Sequence, residues 1–125
     1  MLRALAVAHV VIAIGLMPLV ASTLLAAPVF LIGPIWALVL ARRMWRGQPG
    51  VISTLRRTHV AFLVIDAVMI GYGAWMLKAA AESAARGGGL LGGVGLIPIL
   101  LGVFLALFST FTLICTVALK RAAAL

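Results

Sequence analysis

The chain has 125 residues, 66% of them hydrophobic and 10% charged, with a formal net charge of +8 and a mean hydropathy of +1.31. A water-soluble domain carries charge on about a quarter of its residues, so this composition excludes a protein that wets its own surface, and the length leaves room for one domain, 1–125. The basic residues Arg3, Arg42, Arg43, Arg46, Arg56, Arg57, Lys120 and Arg121 stand near the ends of apolar runs rather than on a solvated face. That placement sets topology and meets anionic headgroups, and it excludes nucleic acid as a partner.

Between Arg3 and Arg42 there is no formally charged side chain. Such a stretch is about twice what one helix needs to cross a hydrocarbon core of ~30 Å. The expected fold is therefore an all-α integral membrane protein with four transmembrane helices and short loops.

Helix one is expected over 5–25. Arg3 ahead of an apolar run has the outline of a secretory signal, but residues 18–22 (PLVAS) match a small-x-small cleavage site poorly, so the segment reads as a retained first span. Pro18 removes one backbone donor and predicts a kink. Ala26, Ala27 and Pro28 suit a turn, with proline in the first turn of helix two, expected over 28–45. The alternative for this run is one tilted helix followed by a re-entrant segment.

Trp45 beside Arg42, Arg43 and Arg46 reads as a headgroup-level anchor, an amphipathic ring next to guanidiniums that reach phosphate. The run from Arg46 to Gly50 is a loop by its glycines and proline. Residues 51–57 suit a short interfacial helix lying flat, with Arg56 and Arg57 raised toward headgroups and Ser53 as a local cap.

Helix three is expected over 58–79, with Tyr72 and Trp75 forming the opposite interfacial belt before Lys78. Residues 80–93 read as an Ala- and Gly-rich flexible loop. Its glycines lack the spacing, the lysine and the preceding strand of a phosphate-binding loop. Helix four is expected over 94–119. Phe104, Phe108 and Phe111 share one face, and Ser109, Thr112 and Thr116 form a weakly polar face suited to helix packing. Counting basic residues across four crossings places both termini in the cytoplasm.

Three ionisable groups fall inside the spans: His9, His59 and Asp66. A carboxylate in hydrocarbon is expensive unless protonated or partnered, which makes Asp66 the principal candidate for transport or assembly. His59, Asp66 and Gly73 are spaced seven and seven, close to two full turns each, so they share a helix face and form a polar seam. His9 and His59 both lie toward the cytoplasmic ends of their helices, an arrangement compatible with bis-imidazole ligation of haem. The bland reading, headgroup-region or packing histidines, stands beside it. Cys115 is the single cysteine, so an intrachain disulfide and a two-thiol mechanism are excluded.

No catalytic set or metal-ligand spacing is present in the sequence, and no cofactor is named by it. The expected function is a non-catalytic accessory or structural subunit of a multisubunit membrane complex of respiratory, photosynthetic or transport type, stabilising assembly by helix packing. One alternative is a small oligomeric transporter or channel with Asp66 as the coupling carboxylate. Another is a haem- or quinone-associated redox subunit using His9 or His59. The expected partners are the anionic bilayer and either other membrane subunits or further copies of the chain. The expected location is a cell membrane, crossed several times, taken as a bacterial inner membrane; richness in Ala and in Arg over Lys is compatible with a high-GC bacterial gene.

Overall fold

A computed structural model describes residues 1–23, 31–87 and 92–124, and these are all α. Four helices follow one another: α1 (Leu2–Thr23), α2 (Ile32–Trp45), α3 (Val51–Ala85) and α4 (Gly92–Ala123). Two stretches, Val51–Ala85 and Gly95–Ala123, are long and apolar enough to cross a membrane, and Leu2–Pro18 is a shorter apolar helix. Contacts divide the chain into two compact units, Met1–Leu55 with Leu119–Leu125, and Arg56–Ala118.

In the first unit, α1 buries Leu5, His9 and Ala13 at intervals of four, and α2 buries Pro34, Ala37, Leu40, Ala41 and Met44 at intervals of three and four. These are the spacings that keep side chains on one face of a 3.6-residue helix. The opposite faces carry Val7, Val11 and Ile14 on α1 and Ile35 and Val39 on α2, all exposed. The Arg3 guanidinium lies 5.7 Å from the centroid of the Trp45 ring, within cation–π range, and ties the start of α1 to the end of α2. Pro18 lies inside α1. The predicted turn at Ala26–Pro28, the last residues of expected helix one and the start of expected helix two fall outside the described residues.

α2 stops in a Schellman arrangement. The Gly47 N–H donates to the Met44 carbonyl at 3.1 Å and the Gln48 N–H donates to the Arg43 carbonyl at 3.2 Å. Gly47 has φ +60, the left-handed conformation that glycine adopts without a Cβ penalty. The Arg43 Nε donates to Gln48 Oε1 at 3.1 Å across the same turn. The loop from Arg46 to Gly50 stands where the glycines and proline predict it.

The flat interfacial helix over 51–57 is not observed. Val51 opens α3, which continues without interruption to Ala85 for 35 residues. Arg56 and Arg57 are good helix formers and give no reason to break, and Ser53 lies inside the first turn rather than at a cap. The charge-poor stretch 58–77 rises about 30 Å at 1.5 Å per residue, matching the hydrocarbon thickness. The loop expected over 80–93 is also shorter at both ends. Ala80 to Ala85 extend α3, Gly92 and Gly93 open α4, and Gly87 at φ +86 ends the α3 side.

In the second unit α3 and α4 run antiparallel, and their inner and outer faces are inverted relative to a soluble protein. His59, Asp66, Ser109, Thr112 and Thr116 are buried, each at most 3% exposed. Val64, Val68, Trp75, Leu100, Leu107 and Ile114 are among the large apolar side chains left outside, each more than 60% exposed. Water would reverse that distribution; lipid accepts it.

Candidate functional site

The seam between α3 and α4 is built on two matching seven-residue ladders. On α3 the ladder is His59, Asp66, Gly73; on α4, read in the opposite direction, it is Ser109, Gly102, Gly95. A strict seven-residue repeat keeps one stripe facing the partner along the length of a helix pair. The structure brings the rungs together one by one.

At the first rung His59 Nδ1 and Ser109 Oγ share a hydrogen bond of 3.1 Å. Phe62 and Phe108 close over the imidazole edge to face, each with its centroid 5.7 Å from the ring. At the second rung a Cβ built on Gly102 would stand 3.1 Å from the Asp66 carbonyl oxygen and 2.8 Å from Ile70 Cγ1. At the third, a Cβ on Gly73 would stand 2.7 Å from the Gly95 carbonyl oxygen, and one on Gly95 would stand 2.9 Å from the Gly73 carbonyl oxygen. Contacts below 3.0 Å leave no room for a methyl group, so the two backbones touch here through glycine alone, the small-residue mode of membrane helix association.

Asp66 is 3% exposed, and its Oδ2 has no hydrogen-bond partner among the described residues. A buried carboxyl oxygen without a partner is costly and uncommon. The opposing glycine supplies space but no donor. The face shared by His59, Asp66 and Gly73 is the buried face of α3, as their spacing predicts. The polar face of α4 is also inside: Ser109 bonds the neighbouring helix, Thr116 donates to its own Leu113 carbonyl at 2.7 Å, and Thr112 Oγ1 has no partner among the described residues. Of the phenylalanine face, Phe104 and Phe111 point outward, whereas Phe108 turns in to His59. Cys115 is a free thiol and is buried.

His9 belongs to the first unit. It is 1% exposed, and its Nδ1–H donates to the Leu5 carbonyl one turn earlier at 2.7 Å. Of the proposed headgroup residues, Arg42, Arg46, Trp45, Arg56 and Arg57 are exposed, and Arg43 is half-buried against Gln48. Tyr72 and Trp75 stack at 5.9 Å on the outer face of α3. Among the described residues no three His, Cys, Asp or Glu side chains come together as a metal site.

No family model, curated protein or solved structure matches this chain. The residues themselves carry the functional reading. Sequence reasoning found the α3 ladder and missed its complement, Gly95 and Gly102; the available signal was their own seven-residue spacing in line with Ser109 and Thr116.

Proposed function

We propose that the protein is a four-span membrane protein with both termini cytoplasmic, acting as a non-catalytic accessory subunit within a larger complex of a bacterial inner membrane. The observation that carries this reading is the closed seam under an apolar exterior. Gly73 and Gly95 bring α3 and α4 into backbone contact, and the outward faces are Val, Leu, Ile, Phe and Trp. Such a body offers lipid and neighbouring subunits a packing surface. A topology with Arg3, the 42–57 connection and Lys120–Arg121 on the cytoplasmic side satisfies the distribution of basic residues.

Native mass spectrometry of the protein extracted in mild detergent from its own membrane tests the proposal. Fixed stoichiometry with larger membrane proteins is the expected result; a bare homo-oligomer overturns it. One observation also suits a second reading, a proton- or cation-coupled transporter: Asp66 Oδ2 is buried with no hydrogen-bond partner among the described residues, so it is open to a coupled ion as well as to a donor on another subunit. A transport path would then require further copies of the chain, and Asp66→Asn would abolish transport in an intact assembly.

A further inference from the structure

A cleft of about 410 Å³ lies along the outer side of the α1–α2 pair. Its floor is set by Ala6 and Ala41, two small residues buried where the helices meet at 2% and 4% exposure. Its apolar walls include Val7 and Val11 from α1 and Leu38 from α2. At one end the lining changes character, to Arg42, Trp45 and Arg46. Arg3 stands over the same tryptophan ring and adds a third guanidinium nearby. From Leu38 to Arg46 the lining spans about 12 Å of helix rise, so the basic end sits at headgroup level if the apolar end reaches hydrocarbon.

The occupant follows from that polarity. Arginine pairs present forked donors suited to a phosphate diester. Among the described residues the lining contains no carboxylate, so nothing in it neutralises Arg42 and Arg46. The volume falls within the range of ligand clefts and the walls are aliphatic. Charge at a helix C-terminus and cytoplasmic arginines are explained by the backbone carbonyls and by topology, but neither requires a groove leading away from the charge. We propose that this cleft is a binding site for one anionic phospholipid, its phosphate held by Arg42 and Arg46 and one acyl chain lying between the valines of α1 and Leu38. The proposal rests on the membrane reading above.

The test is native mass spectrometry of the full chain from mixed micelles of equal phosphatidylglycerol and phosphatidylcholine, preceded by alkaline carbonate extraction of the membranes. Release of the protein by carbonate refutes the membrane reading itself. With the protein retained, the expected result is one bound phosphatidylglycerol, favoured over phosphatidylcholine by about tenfold or more. The pair Arg42→Gln and Arg46→Gln should lose that preference. The pair Arg56→Gln and Arg57→Gln removes the same charge from residues outside the cleft and should keep it. Equal loss in both pairs, or retained preference in the first, overturns the proposal by reducing the effect to general electrostatic attraction.

Discussion

Asp66 faces Gly102: the carbonyl of one stands 3.1 Å from where a side chain on the other would begin, and the carboxyl above it has an oxygen with no hydrogen-bond partner among the described residues. The pairing separates two demands that usually coincide. Gly102 is required by packing, because a Cβ there would press on the Ile70 side chain at 2.8 Å and on the Asp66 carbonyl at 3.1 Å. Asp66 Oδ2 adds no bond to that packing, because no described group donates to it. Stability and function should therefore respond in opposite ways at the two positions.

Substituting Gly73, Gly95 or Gly102 with Ala should destabilise the α3–α4 pair by about 1–3 kcal/mol, the usual cost of overpacking a closed contact. Gly71, on the outer face with nothing within 4 Å of a built Cβ, should behave oppositely and gain about 0.5–1 kcal/mol as alanine. Unfolding in mixed micelles, followed by circular dichroism, reads both signs. Equal effects at Gly71 and Gly102 would mean that helix propensity, not the seam, sets the response.

Asp66→Ala should leave the stability of the isolated chain unchanged or raise it by up to ~2 kcal/mol, since it removes a buried polar oxygen that lacks a partner. The same variant should fail in complex assembly or transport, whichever its cellular activity proves to be. A loss of more than about 1 kcal/mol in the isolated protein, against the cavity term expected for so small a deletion, would show that the carboxyl does have a structural partner.

His59 and Ser109 should be energetically coupled. A double-mutant cycle with His59→Phe and Ser109→Ala should give about 0.6 kcal/mol, the average for side-chain hydrogen bonds between membrane helices. Zero coupling would leave the 3.1 Å contact without energetic weight.

Topology can be read with cysteine labelling in a Cys115→Ser background. Gln48→Cys, on the arginine-rich connection, should react with a membrane-impermeant maleimide only after permeabilisation of intact cells. Glu82→Cys, near the C-terminal end of α3, should react before it. Labelling of both from the same side would leave α3 without a crossing.

The sequence made the α3 seam visible because histidine, aspartate and glycine are conspicuous in an apolar run and seven residues is close to two helical turns. It hid the α4 side, because a glycine announces no face until its partner is known. Val51 to Arg57 looked like a separate surface helix because two arginines end the apolar pattern, yet arginine ends hydrophobicity without ending a helix. Ala80 to Ala85 looked like loop through its neighbouring glycines, although alanine is the strongest helix former. Burial of Phe108 against His59 was illegible for another reason: its register with Phe104 and Phe111 is shared, and only the position of α3 distinguishes it.

The two ladders also determine how the helices can be misaligned. A slip of one residue would turn the ladder of one helix away from that of the other, and each rung would lose its partner. The next offset that again sets a polar residue on a glycine is a full seven residues, about 10.5 Å along the axis, which would put His59 opposite Gly102 and Asp66 opposite Gly95. Measured by its polar-on-glycine rung the hairpin thus counts in sevens, and any smaller slip takes Gly102 away from Asp66 without offering it another glycine.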